Sequence, residues 1–158
     1  MIILGIHGGV TLNQHEASAC IIINGRIKAA TEEERYTRNK SSYGILPFFS
    51  IKACLEKSNI KFSDVDLVVS TGITYKNQKE RLSFFLKHNF GSEKKIYLIH
   101  HQDAHIASSF YSSKFKKALA FSLDASGDGN CGHVSLCDED KIKKVSEMKN
   151  DNSLGFFY

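Results

Sequence analysis

MIILGIHGGVTLNQHEASACIIINGRIKAA, residues 1–30, holds three apolar runs separated by one loop and one two-residue turn. The first run alternates like a strand over Ile2–His7 and leads into a loop over residues 7–16, where Gly8 and Gly9 give flexibility. Residues 17–23 read as a second strand, rich in isoleucine. Asn24 and Gly25 then form a strong hairpin turn, because a two-residue turn of this hand needs φ > 0 at both central positions and Asn and Gly tolerate it. Residues 26–30 return as a third strand. The chain therefore opens as an antiparallel meander.

Working outward, Pro47 opens a helix, since its fixed φ suits the first turn. Phe48, Ile51, Cys54 and Leu55 follow at helical spacing. Leu67, Val68 and Val69 are consecutive and apolar, which predicts a buried strand. A helix is expected over 78–86 with Leu82, Phe85 and Leu86 inward, then a short strand over Ile96–Ile99. Another helix is expected over 101–111 with Ile106 and Phe110 as its buried pair. A strand over 119–123 and a hairpin of 134–137 with 142–145, turning around 138–140, complete the pattern. A meander followed by alternating helices and strands predicts an α/β fold with a mixed sheet. That order is compatible with the ribonuclease-H-like half of an actin-like ATPase, the fold of sugar kinases and Hsp70.

With 158 residues, and without a linker rich in Pro, Gly and Ser, one domain or one piece of a domain is the simplest organisation. The net charge is +4, and the lysine cluster Lys114, Lys116 and Lys117 reads as a solvated face. Aromatic residues do not interleave with the basic ones, so no nucleic-acid partner is expected. No run of about 18 apolar residues exists, which predicts no membrane span. The N-terminus lacks the basic lead-in of a signal peptide, and a cytoplasmic location is expected. Cys20, Cys54, Cys131 and Cys137 form no CxxC pair and read as buried thiols in a reducing compartment.

Four stretches could carry chemistry. In HHQDAH, residues 100–105, His101 and His105 stand four apart, one turn apart on one helix face. Such a pair can share a divalent ion; equally, one His could cap the helix and the other fill a polar pocket. In LDASGDGNCG, residues 123–132, Asp124 is expected at the C-terminal end of a strand, where open α/β sheets place ligands. Gly127, Gly129 and Gly132 would let backbone N–H groups approach an anion, although a simple glycine-rich turn is as natural. A calcium loop, mimicked by Asp124, Ser126, Asp128 and Gly129, fails at its twelfth position, where Ser135 replaces the bidentate Glu. His15 and Glu16 are an adjacent base and acid in a loop, and a surface His is the plainer reading. TEEERYTRNK, residues 31–40, reads as a charged strand end running into a solvated loop, although its arginines and Lys40 could bind phosphate.

Taken in order, these pieces resemble one family. The segments ILGIH (3–7), HEASACIIINGRIKAATEEERYTR (15–38), LPFFSIKACLEKSNIKFSDVDLVV (46–69), HHQDAHIASSFYSSKFKKALAFSLDASGDG (100–129) and NSLGFFY (152–158) are similar to the opening of the O-carbamoyltransferases that modify nodulation factors and antibiotics. The resemblance spans essentially the whole chain and makes it the N-terminal part of that catalytic domain. It implies an actin-like ATPase fold and a divalent metal, iron first, that holds the phosphate of a carbamoyl-adenylate. The adenylate would come from ATP and carbamoyl phosphate in a further domain outside these residues. The partners implied are ATP, carbamoyl phosphate and a small hydroxylated acceptor such as a sugar, with no nucleic acid and no membrane; self-association through an unfinished apolar face near Phe156 and Phe157 is expected. Carried over by position, His101, His105 and Asp124 match metal ligands, and a fourth acidic ligand belongs to a segment after Tyr158. His15 matches a base toward the acceptor, with Glu16 where the motif has Asp. Lys40, Gly127, Asp128 and Gly129 fall at positions expected to bind the nucleotide. Ser41 stands where many relatives have His, and the loop over 7–14 is longer than usual. The sister reading is a transferase of the tRNA threonylcarbamoyl type; another is a non-catalytic remnant that binds metal or nucleotide and acts through a partner.

Overall fold

A computed structural model describes residues 1–9, 11, 14–139 and 141–157. Parts of two expected turns, Val10, Leu12 and Asn13 in the first loop and Asp140 in the last, lie outside the described residues, as does Tyr158. Where the sequence offered no linker, the chain divides into two compact units: Met1–Ser70 with Asn77–Leu98, and Thr71–Lys76 with Ile99–Tyr158. No described helix is long and apolar enough to cross a membrane.

In the first unit, β1 (Ile2–His7), β2 (Ser18–Ile23) and β3 (Arg26–Glu32) form the antiparallel meander. Ile23 pairs with Arg26 around Asn24 (φ 49°) and Gly25 (φ 77°), both in the left-handed region the turn requires. α1 (Glu34–Thr37) and α2 (Phe48–Lys57) lead to β4 (Leu67–Thr71), which pairs parallel to β1; α3 (Gln78–Phe90) and β5 (Ile96–Ile99) follow. The sheet order is β3-β2-β1-β4-β5. Leu4, Ile6, Ala19, Ile21 and Val68 from the strands pack with Ile51, Cys54 and Leu55 of α2 and Leu82 and Leu86 of α3. Each fully buried Leu or Ile stabilises by roughly 1.5–3 kcal/mol. β4 is less buried than three consecutive apolar residues suggest: Val68 is enclosed while Leu67 and Val69 are half-buried, because successive side chains point to opposite faces.

The TEEERYTR stretch corrects a second expectation. Glu33 is 1% exposed. Its carboxylate accepts hydrogen bonds from the N–H groups of Phe49 (3.0 Å) and Ser50 (2.7 Å) and from the Ser50 hydroxyl (2.6 Å). The first N–H groups of a helix have no partner within it, and the helix dipole favours an anion there. Glu33 thus caps α2 from a distance, at a start where Pro47 makes no side-chain cap.

In the second unit, α4 (His101–Ser112) precedes an antiparallel sheet of β6 (Lys117–Gly127), β7 (Asn130–Asp138) and β8 (Lys141–Lys149), in that order. These strands are longer than expected. β6 runs through Asp124 to Gly127, with a register shift between Leu123 and Gly127. Gly127 pairs with Asn130 around Asp128 (φ 53°) and Gly129 (φ 85°), the same two-residue turn that joins β2 to β3. The glycine-rich stretch is therefore a hairpin, and Asp124 lies inside a strand rather than at its end. α4 buries Gln102, Ile106 and Phe110, one stripe at spacing four. Ile106 and Phe110 pack with Cys137 and the partly buried Ala118, Ala120 and Ile142. The alternate residues of β6 and β7 turn the other way, and Leu119, Phe121, Leu123 and Leu136 are all more than half exposed. β8 is an edge strand carrying Lys141, Lys143, Lys144 and Lys149. All four cysteines are free thiols, three of them buried.

Candidate metal centre

The buried stripe of α4 determines where its neighbours point. With Gln102, Ile106 and Phe110 against the sheet, the adjacent stripe of His101 and His105 reaches toward β6, where Asp124 stands. The His101 Nε2 lies 2.8 Å from Asp124 Oδ2, the His105 Nε2 lies 2.9 Å from His101 Nε2, and His105 Nε2 lies 3.4 Å from Asp124 Oδ2. An ion bonded at about 2.0–2.2 Å separates adjacent ligand atoms by roughly 2.8–3.6 Å, from octahedral to tetrahedral. The three donor atoms match that spacing and form a single group. Two imidazoles and one carboxylate on one face suit iron(II) with open positions, or zinc. His105 is half exposed while His101 and Asp124 are more covered, so the group opens on the His105 side.

Asp124 is oriented by its surroundings. Its Oδ1 accepts from the Ala125 N–H (2.6 Å), which leaves Oδ2 toward the histidines. Ser153 donates to the carbonyls of Asp124 and Ala125 (3.2 and 2.7 Å). A side chain at Gly155 would come within 2.6 Å of the same backbone.

A second polar cluster, on the sheet side of α4, was missed in the sequence. His133 is 1% exposed; its Nδ1 meets Asp103 Oδ1 at 2.9 Å and its Nε2 meets Asn130 Nδ2 at 2.9 Å. Gln102 donates to the Asn130 carbonyl (3.1 Å). His100 caps α4 by accepting the Gln102 N–H on Nδ1 (3.1 Å). Burial, then the neighbouring His133, holds the His100 imidazole below its ordinary pKa, which keeps that nitrogen an acceptor. The signal available was period two: His133, Ser135 and Cys137 share a face of β7, so a polar residue was pointing inward.

The remaining candidates sit elsewhere. His15 and Glu16 belong to the first unit, with Nδ1 and Oε2 3.7 Å apart and both side chains well exposed. Glu16 adopts φ 58° and donates its N–H to the Ser41 carbonyl (2.5 Å). Asp and Asn tolerate that conformation better than Glu. Lys40 is exposed at the start of a short 3-10 turn, Lys40–Ser42, also in the first unit. Gly127 and Asp128 are in the second unit but occupied by other contacts. The Asp128 carboxylate accepts from the N–H groups of Gly72, Thr74 and His101 and from the Thr74 hydroxyl. Burial pushes its pKa up, but these hydrogen bonds outweigh it and hold the carboxyl below its ordinary range. Gly129 completes the turn, with open space where a Cβ would be.

No family model matches the chain. It is similar to the nodulation protein NolNO of Sinorhizobium fredii (strain NBRC 101917 / NGR234), 27% identical over 191 residues, covering 100% of this chain and 28% of that protein. It is also similar to the uncharacterised protein MJ1051 of Methanocaldococcus jannaschii, 31% identical over 159 residues, covering 99% of this chain and 28% of the relative. The chain thus spans little more than a quarter of the length of these curated relatives. Among solved structures it resembles YeaZ from Pseudomonas aeruginosa, with TM-score 0.53 at 10% identity over 94% of this chain and 68% of that one. It also resembles component A of the Acidaminococcus fermentans (R)-2-hydroxyglutaryl-CoA dehydratase, with TM-score 0.50 at 20% identity over 96% and 48% of the two chains. The fold is that of the actin-like ATPases, and the sheet order of the first unit is compatible with it.

Proposed function

We propose that this chain carries the metal-binding part of an O-carbamoyltransferase, one that moves a carbamoyl group from carbamoyl phosphate, through a carbamoyl-adenylate, to an acceptor hydroxyl. The convergence of His101, His105 and Asp124 is the observation that carries the reading. The similarity to NolNO and the actin-like fold support it.

A divalent ion, iron first, would act as a Lewis acid and template for the phosphate of the adenylate. The chain's own residues would do the rest. His101 and His105 offer Nε2, and Asp124 offers Oδ2 with its other oxygen held by Ala125. The motif resemblance supports His15 as the base toward the acceptor hydroxyl. The Glu16 carboxylate lies near that histidine, with Oε2 3.7 Å from the His15 Nδ1, beyond hydrogen-bond distance. In the transfer the acceptor oxygen bonds to the carbamoyl carbon, the bond from that carbon to the phosphate oxygen breaks, AMP leaves, and the hydroxyl proton passes to His15.

Two measurements test this. Loaded with iron(II) under anaerobic conditions, the chain should retain about one equivalent, and His101→Ala, His105→Ala and Asp124→Ala should each lose it while circular dichroism stays unchanged. In the enzyme that carries this chain, His15→Ala should depress acceptor carbamoylation and leave ATP-dependent pyrophosphate release intact. Carbamoylation unaffected by His15→Ala would remove that residue from the chemistry. Metal uptake without any transfer would favour a binding remnant that acts through a partner.

A further inference from the structure

We propose that Gly127 and Asp128 form a positioning clamp on His101, and that Asp128 thereby sets how tightly and in what geometry the ion is held. The inference rests on the metal reading above and deepens it. The sequence suggests a phosphate cradle for this pair, but the structure gives both residues contacts with a histidine.

The clamp acts on two parts of His101. A Cβ at position 127 would stand 2.2 Å from the His101 Cδ2 and 2.4 Å from its Cγ. Real atoms do not approach so closely, so the ring occupies space that only a glycine leaves. Asp128 holds the backbone: its Oδ2 accepts the His101 N–H at 2.9 Å. That N–H is in the first turn of α4, where it has no intrahelical partner and where the dipole favours a carboxylate. The carboxylate is itself fixed, because Oδ2 also accepts from Gly72 N–H (3.3 Å) and Oδ1 accepts from Thr74 N–H (3.1 Å) and the Thr74 hydroxyl (2.7 Å). Backbone and ring are thus constrained from adjacent residues of one hairpin turn. That same β6 strand, three residues earlier, supplies Asp124, to which the ring's Nε2 points. A carboxylate with both oxygens engaged, carrying negative charge, is also a poor neighbour for a phosphate.

Residues that orient metal ligands typically change affinity by about 10–100-fold when removed. The test uses the 158-residue chain and cobalt(II), whose visible absorption reports coordination geometry. Asp128→Asn keeps the size but turns one acceptor into a donor facing N–H groups. It should bind cobalt about 10–100-fold more weakly, with a shifted and weaker visible band, and Asp128→Glu should recover part of both. Gly127→Ala should displace the ring and lose the band altogether. Should Asp128→Asn fail to fold, Thr74→Val serves instead: it removes the 2.7 Å bond to Oδ1 without touching the histidine, and it should weaken and shift the spectrum in the same direction. Wild-type chain that binds cobalt, with folded Asp128→Asn or Thr74→Val matching it in affinity and spectrum, would overturn the clamp alone. A folded wild-type chain that takes up no cobalt at all would overturn the metal reading, and the clamp with it.

Discussion

Cys54 sits at the sheet side of α2, 1% exposed, and its thiol donates to the Ala19 carbonyl at 3.4 Å. Burial, then the neighbouring Cys20, pushes it up to about 11. Only about one molecule in a thousand would carry the thiolate at pH 8. Cys54 should therefore escape alkylation in the native chain at pH 8 and react once the chain is unfolded, as mass spectrometry of iodoacetamide-treated samples will report; rapid native labelling would contradict the packing. The expectation of a buried thiol came from its place in an apolar helical pattern, a local signal. His101 shows where local signals end. Its partnership with His105 was legible, because spacing four on a helix is a geometric fact, and Asp124 was legible as an acid of the right chemistry. The use of Asp128 was not. A glycine-rich segment makes a turn or a cradle with equal ease, and the decision lies with Thr74, 54 residues away.

Among the elements, α2 shows how a helix can depend on a residue outside it. Glu33 is separated from α2 by α1 and a 3-10 turn, yet its carboxylate satisfies two of the helix's N–H groups. Glu33→Ala should destabilise the chain by about 1–3 kcal/mol, through loss of the cap and exposure of buried donors, while Glu34→Ala, at a partly exposed neighbour, should cost less. Urea titration followed by circular dichroism will measure both. The acidic run hid this role because three consecutive glutamates look alike in sequence, and only the strand's exit decides which one turns inward. The two hairpin turns carry a similar lesson. Asn24-Gly25 was read correctly because isoleucines flank it, whereas Asp128-Gly129, with the same conformation, lay between polar and small residues that do not announce strands.

Across the whole molecule, two compact units form without a compositional boundary; the division follows contacts between distant segments, which composition does not record. The expectation of exposed apolar groups near the C-terminus holds at Phe156, 65% exposed, while the Phe157 side chain lies outside the described residues. More extensive is the outer face of β6 and β7, where Leu119 stands opposite Leu136, with Phe121 and Leu123 beside them. A contiguous apolar face of this kind promotes association. The chain should bind a hydrophobic fluorescent dye and sediment with a concentration-dependent coefficient, and Phe121→Lys should reduce both; an ideal monomer with no dye signal would count against it.

The lysines of β8 determine what kind of association that is. An outer strand with bare N–H and C=O groups is an open template on which further chains can stack, and row upon row of such pairing ends in fibrils. Here Lys141, Lys143, Lys144 and Lys149 line that margin, against the single Glu147 that pairs with Lys144 and Lys149, so each copy added alongside would set net positive charge against net positive charge. Along the β8 margin, neighbouring molecules are thereby discouraged from pairing strand to strand, while the flat apolar side offers a contact through side chains that separate again on dilution. High salt, by masking those ammonium groups, is the condition under which that barrier falls.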